Sequence, residues 1–593
     1  MNKQLFLIFA ILIFAASAAK AQDTTPTPSP TPVIEKPVDD AQNVQPENLT
    51  GVPTVAPNFE SDDKTLPDLG RVGVDMMQQR PLGLKEAISR ALENNKDIEV
   101  SRQNVRLAEF DLQAADGFYE PRFTGQTFYE RATVPNVSIF STNATTTTNS
   151  INGNVGLQGY IRKYGTIFTA TANNQRLTSN NPISILSPQN NTNLIFSVTQ
   201  PIFRGRGFDQ PRRTIEIAKR NLSLTDTQFR QRSIEIITNV QRAYWDLTFA
   251  LRNLQVQRDG VRDARQQLEH NRRLVEEGQL APIDIVAAET QIANIEQGVY
   301  EALETVGRAE NILKNLIAQD KSDQIWAEAL VPTDSVELES PRTTLPEALT
   351  AALANRPEIE VNNVQRDINE IDQRFFRDQA KPQVDLVASY TTSGIGGAQN
   401  PDFTNPLAQN QSCFPGETPQ VCAARQLGQQ QQQTALLDNL TGSSISDVFA
   451  FRYPTLRVGV QFNLPLFGNK ATKAQLGRSL VQSEQIRTQR EQVEQTIQVD
   501  VRNALQTVRT AEARLRSAAI SRENSVKQYE SEQRKLDNGQ SDIYKVLERQ
   551  TALMNARSAE LRAQTEINKA IAELQRATGN SLKANNVEAR LRK

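Results

Sequence analysis

Residues Val240–Val275 read VQRAYWDLTFALRNLQVQRDGVRDARQQLEHNRRLV, with apolar side chains every seventh residue at Val240, Leu247, Leu254, Val261, Leu268 and Val275. A sustained 3.5-residue period marks left-handed coiled-coil packing. The segment around it predicts one helix from about Arg212 to Glu276, ~100 Å long at 1.5 Å per residue. After a glycine turn the period resumes at Ile285, Ile292, Val299, Val306 and Leu313. A second seam follows Ala288, Ile295, Ala302, Ala309 and Leu316. Its alanines let two helices approach closely, so the stretch reads as a long helical hairpin rather than part of a compact core.

The hairpin occurs twice. Leu84-Lys85-Glu86-Ala87-Ile88 through Asn94-Asn95-Lys96-Asp97-Ile98-Glu99-Val100 matches Leu345-Pro346-Glu347-Ala348-Leu349 through Asn355-Arg356-Pro357-Glu358-Ile359-Glu360-Val361. The same offset of about 261 residues carries Pro121 onto Pro382, Tyr129 onto Tyr390, Val240 onto Val501 and Gly278-Gln279 onto Gly539-Gln540. Copy two keeps its seams at Val501, Val508, Leu515, Tyr529 and Leu536, then at Ala556, Ala563, Ala570 and Ala577. The chain is therefore two copies of one unit, with a period far too long for a solenoid. Each copy reads helix, strands, very long helix, tight turn, helix.

The strands show as period-two stretches at Phe123–Tyr129, Val155–Ile161, Ile167–Ala172, Leu194–Thr199, Val384–Tyr390 and Leu456–Leu464. Apolar residues alternate there with Thr, Gln, Ser and Gly, as suits a wall with lipid on one side and water on the other. A half-buried soluble sheet is the competing reading. Pro121, Pro201, Pro382 and Pro465 stand at the helix-strand junctions, where a missing N–H costs least.

Composition removes other classes. The 593 residues carry 66 Lys plus Arg against 68 Asp plus Glu, so no excess of positive charge is available to track phosphates, and nucleic acid is not an expected partner. One histidine, His270, and two cysteines, Cys413 and Cys422, supply metal and nucleophile chemistry poorly. No enzyme, metal or cofactor is expected, and His270 reads as an exposed residue of the coiled coil. Residues 1–21 read as a cleaved signal peptide, with Lys3, an apolar run from Leu5 to Ala16 and Ala19-Lys20-Ala21. Residues 22–80 are proline-rich and polar and read as a disordered leader. The remaining expected divisions are a first repeat at 81–320, a linker at 321–344, a second repeat at 345–579 and a tail at 580–593.

From Pro81 to Gly579 the chain resembles the TolC-like outer-membrane efflux protein family. The resemblance rests on the paired Glu-Ala openings and the glycine turns. It rests also on Phe196-Ser197-Val198-Thr199-Gln200-Pro201-Ile202-Phe203 with Val460-Gln461-Phe462-Asn463-Leu464-Pro465-Leu466-Phe467. It implies a mixed α and β fold: a trimeric outer-membrane β-barrel continued into a periplasmic α-helical coiled-coil tunnel. The implied function is an exit duct for efflux or type I protein secretion, docked to an inner-membrane transporter through a periplasmic adaptor. Outer-membrane lipid and two further copies of the chain are the other implied partners. A periplasmic adaptor or an exported coiled-coil adhesin is the rival reading.

The resemblance also implies sites. The turns at Gly278-Gln279 and Gly539-Gln540 would form the tunnel tip that adaptor hairpins grip. They read Glu277-Gly278-Gln279 and Asn538-Gly539-Gln540, where many multidrug members have Val-Gly-Leu or Val-Gly-Thr. Asp284, Lys545 and Glu548 stand where aspartate rings narrow the closed tip of other members, so lysine and glutamate would salt-bridge rather than form a uniformly negative ring. Six candidate strands exceed the four of the simplest family pattern. Either the barrel holds more strands, or the pair around Lys163-Tyr164-Gly165 lies outside the wall. An insert at 393–449 reads as an extracellular loop, in which Cys413 and Cys422 form a disulfide in an oxidising compartment.

Overall fold

The computed structural model describes residues 69–136, 144–336, 341–403, 413–464 and 469–587. The signal peptide, the leader up to residue 68, and Pro465 lie outside them. Copy one contributes α1 (Leu84–Asn94), α2 (Lys96–Asp116), α3 (Gln210–Glu276) and α4 (Ile283–Ile317). Copy two answers with α5 (Leu345–Asn355), α6 (Pro357–Gln379), α9 (Lys470–Asp537) and α10 (Ile543–Ala577). The short helices α1 and α5 have 11 residues each, the long ones α3 and α9 have 67 and 68, and α4 and α10 have 35 each, so the duplication is structural.

The alanine seam packs as its sequence predicts: Ala288, Ile295, Ala302 and Ala309 are buried in copy one, and Ala556, Ala563, Ala570 and Ala577 in copy two. The α3 seam is followed only part of the way. Val240, Leu247 and Leu254 are buried, but beyond them the buried line passes to Gly260, Gln267 and Leu274. There α3 also meets the other hairpin: Gly260 lies against Met554, and Gln267 accepts a hydrogen bond from Gln533 at 3.4 Å.

Six strands form one antiparallel sheet in the order β2 (Arg122–Pro135), β3 (Thr145–Ile161), β4 (Thr166–Ser179), β5 (Leu186–Pro201), β7 (Gln383–Gln399) and β8 (Tyr453–Asn463). The hairpin around Lys163-Tyr164-Gly165 is thus β3 and β4, inside the sheet. The register places Gln126, Asn154, Asn173, Asn193 and Ser393 in one row. Side chains alternate across a strand, so this row marks a polar face. Phe123, Tyr129, Val155, Phe196, Val458 and Phe462 occupy the other face and are exposed. That exposed apolar face, against a polar one, is inconsistent with a half-buried soluble sheet.

Two expected boundaries are corrected. Asp75–Leu82 is a strand, β1, pairing in parallel with β6 (Glu328–Pro332), so the end of the leader and part of the linker are ordered. Only Leu82 of β1 is buried and its pairing is with a segment far along the chain, so no local pattern marked it. Arg71 reaches the carboxylate of Glu310 at 2.9 Å beside the fully buried Lys314. The insert also begins later and is partly helical: β7 runs on to Gln399, and α7 (Pro419–Leu440) and α8 (Ser444–Phe449) follow. The last helix, α11 (Ser581–Ala584), opens the tail, where Leu582 and Val587 pack on the core of copy one.

Tyr244 of α3 ties this region together. Its hydroxyl donates to Asp334 at 2.5 Å and lies 3.1 Å from the carbonyl of Leu82, while the backbone N–H groups of Thr333 and Asp334 donate to it at 3.1 Å. Burial pushes its ionisation well above the ordinary tyrosine value. Tyr244→Phe strands these partners, and a loss of ~1–3 kcal/mol is expected. Thermal unfolding of purified variant and wild type checks it; matching curves refute it.

Candidate functional site at the helical tip

Each long hairpin ends in the same turn. Gly278 and Gly539 take the left-handed φ values of 76° and 69°. At the first turn the N–H of Gln279 donates to Leu274 O at 2.8 Å and that of Gly278 to Val275 O at 3.0 Å. At the second, Gln540 donates to Lys535 O at 2.8 Å and Gly539 to Leu536 O at 2.9 Å. Both are Schellman caps, which satisfy the last carbonyls of α3 and α9. The glycines therefore have a capping role, and what each turn offers outward is the exposed Gln279 or Gln540.

The fold brings the two turns together. Leu280 and Ala287 pack on the cluster of Leu536, Ile543, Val546 and Leu547. His270 lies 3.0 Å from Asp537, so the histidine expected to be merely exposed is half-buried and links the two hairpins. Below the turns, α4 and α10 flank a groove of about 570 Å³. Gln291 and Thr551 meet within it, Gln291 donating at 2.7 Å, with Asn294, Asn555, Tyr544 and Glu548 around them. The exposed Tyr544 ring and the amides suit a protein surface better than a small charged ligand.

The three candidate gate residues differ in what holds them. Asp284, in the first turn of α4, accepts from the N–H of Ala281 at 3.0 Å, which ties the turn to the start of the helix. Lys545 pairs with Asp542, the N-cap of α10, at 2.9 Å, and this contact holds the Asp542 carboxyl below and the Lys545 ammonium above their ordinary values. Glu548 makes no ion pair among the described residues and faces the groove. A Lys545–Glu548 bridge does not form within the protomer. Sequence reasoning missed Asp542, whose role is the local cap of α10, and Tyr544, whose place in the groove follows from how the two hairpins meet.

Elsewhere, Pro121 precedes β2, Pro201 ends β5 and Pro382 precedes β7. Cys413 and Cys422 are joined, with Cα atoms 5.4 Å apart. Glu417 lies close enough to suggest a metal site with them, but sulfurs bonded to each other offer no thiolate. No described helix is long and apolar enough to cross a membrane.

The chain matches the outer membrane efflux protein family over residues 168–319 and 348–580. It belongs to that family. Members are outer-membrane channels that work as trimers with adaptors and inner-membrane pumps. Among solved structures it is similar to CusC, at 15% identity and TM-score 0.58, over 86% of this chain and 99% of that one. It is likewise similar to the CmeC outer membrane channel of Campylobacter jejuni, at 14% identity and TM-score 0.58, over 89% and 98%. The open-state MtrE outer membrane channel of Neisseria gonorrhoeae matches at 16% identity and TM-score 0.55, over 84% and 89%. No curated protein matches the sequence.

Left-handed backbone favours glycine by about 1–2 kcal/mol over other residues. No atom lies within 4 Å of a Cβ added at Gly278 or Gly539, so conformation alone is at stake. Gly539→Ala is expected to fray the second turn and Gly539→Asn to spare it, as read by amide hydrogen exchange in Leu536–Gln540; equal exchange in both would refute the assignment.

Proposed function

We propose that this efflux-family chain is the outer-membrane exit duct of an export machine that holds an inner-membrane transporter through a periplasmic adaptor. The observation that carries the proposal is the tip, where two equivalent turns and a polar groove end two hairpins of ~100 Å. The sheet at the opposite end, apolar on one face and polar on the other, supports insertion in the outer membrane. It disfavours the soluble adaptor and the adhesin, which have no use for an exposed apolar wall. Gln279, Gln540 and Tyr544 are the side chains we assign to the adaptor contact. Crosslinkers at Gln279 and Gln540 in living cells are expected to capture a periplasmic hairpin protein. Trimers that conduct ions in bilayers yet capture no such protein would overturn the docking assignment and leave the duct.

Glu548 is the residue we assign to ion discrimination at the tip, because its carboxylate is free while those of Asp284 and Asp542 are engaged. Glu548→Gln is expected to lower the preference for cations, and Lys545→Ala to raise it by baring Asp542. Reversal potentials in a salt gradient read both; three equal values would remove these charges from permeation. Drug efflux and type I protein secretion make the same demands on such a duct, so cargo follows from the transporter behind the adaptor.

A further inference from the structure

The sheet has two open edges. Among the described residues, β2 pairs only with β3 and β8 only with β7. All 11 residues of β8 are exposed, as are all of β2 except Ala132. In hydrocarbon such edges leave backbone groups unsatisfied at several kcal/mol each, so a partner strand is required. Every step from β2 to β8 is antiparallel, so β2 and β8 run in opposite directions. The β2 edge of one copy can therefore continue the pattern on the β8 edge of the next.

The register carries the stagger that closure needs. The row that begins at Arg122, the helical end of β2, runs through Gln158, Thr169, Ser197 and Ser389 to Arg457. Yet β8 continues six residues further to Asn463. Strand ends thus step down across the sheet by six residues per copy. With the helical ends of β8 and the next copy's β2 set side by side, three copies give a shear of eighteen over eighteen strands, a tilt of about 35° at ~3.3 Å rise and ~4.8 Å spacing, which is what barrels adopt. Charge agrees. With Asn463 set beside Arg122 of the next copy, Arg457 faces that copy's Phe128, with its Glu130 on the diagonal and on the same face. Neither Arg457 nor Glu130 has an ion-pair partner among the described residues of its own chain.

We propose that three copies close an eighteen-stranded barrel through β2–β8 contacts, with β3 and β4 as wall strands and Arg457 meeting Phe128 and Glu130 of the neighbouring copy. The bore is then about 34 Å between backbones, against about 23 Å for four strands per copy at the same tilt. The membrane section is then wider than four strands per copy would make it. The inference rests on the trimeric duct reading above.

The test is crosslinking in outer membranes with a short bismaleimide. Thr124→Cys with Gln461→Cys, which the register sets directly opposite, is expected to give covalent trimers. Thr124→Cys with Arg457→Cys, four residues out of line, is expected to give several-fold less. Strong trimer from the second pair alone would overturn the register, and intramolecular product from the first would overturn closure between copies. Electron microscopy of the wild-type trimer in lipid discs reads the strand count directly: eighteen supports the proposal, and twelve with β3–β4 outside the wall refutes it. If the chain forms no membrane trimer at all, the duct reading fails instead, and the two failures are distinguishable.

Discussion

Everything in this molecule depends on two helices lying close together for most of their length. A helix of 67 residues has no reason to hold one direction unless a partner fixes it. Ala288, Ala302 and Ala309 in one hairpin, and Ala556, Ala563 and Ala570 in the other, supply that partner. Small side chains bring the backbones together and trade bulk for many weak contacts repeated along the seam. The polar turn with its paired caps can then stand far from the sheet and still be held. Few aromatic residues are needed because no thick core exists to fill. Phe229, Tyr244 and Trp245 are buried aromatics of the region where several elements converge.

Periodic features were legible and isolated ones were not. Heptads and the duplicated register announced the hairpins, and alternation announced six strands, because each signal repeats over many residues. The strand Asp75–Leu82 escaped, since its partner lies about 250 residues away and seven of its eight side chains are not buried. At the tip, the positions of Gly278 and Gly539 followed from sequence, but their environment did not. Whether Lys545 turns to Asp542 or to Glu548 depends on the cap of α10, a matter of ångströms that residue spacing does not encode. His270 was misjudged for the same reason: only the meeting of two hairpins places Asp537 beside it.

The two ends of the molecule therefore divide their labour by kind of force. The sheet is governed by solvent, apolar on one side and amide-rich on the other. The tip is governed by charge and capping, with the carboxylates of Asp284 and Asp542 accepting from backbone N–H groups and the Lys545 ammonium paired with Asp542. Among the described residues, the region beside β1 and β6, with Glu310 and Lys314 buried beside Arg71, is the one place where both partners of an ion pair are buried. Breaking such a pair from one side is costly, which explains how the segment just before β1 is held without an apolar anchor.

A small contact near the outer rim has its own consequence. The strand β7 outruns β8 by the six residues from Gly394 to Gln399. Over that stretch Gly394 and Gly396 lie against the backbone at Ser444 and Gly442, so near that a Cβ on either would stand about 2 Å from a carbonyl oxygen. Thr392 donates to Val448 O at 3.1 Å and Thr192 meets Ser444 at 2.8 Å. The helix α8 is thus a collar fastened to the wall. It packs against the stretch of β7 that β8 leaves unpaired, and α7 also touches β7. In the duct proposed above this end of the sheet faces outward, and the wall there is fastened through α8 rather than through the cysteine-linked segment.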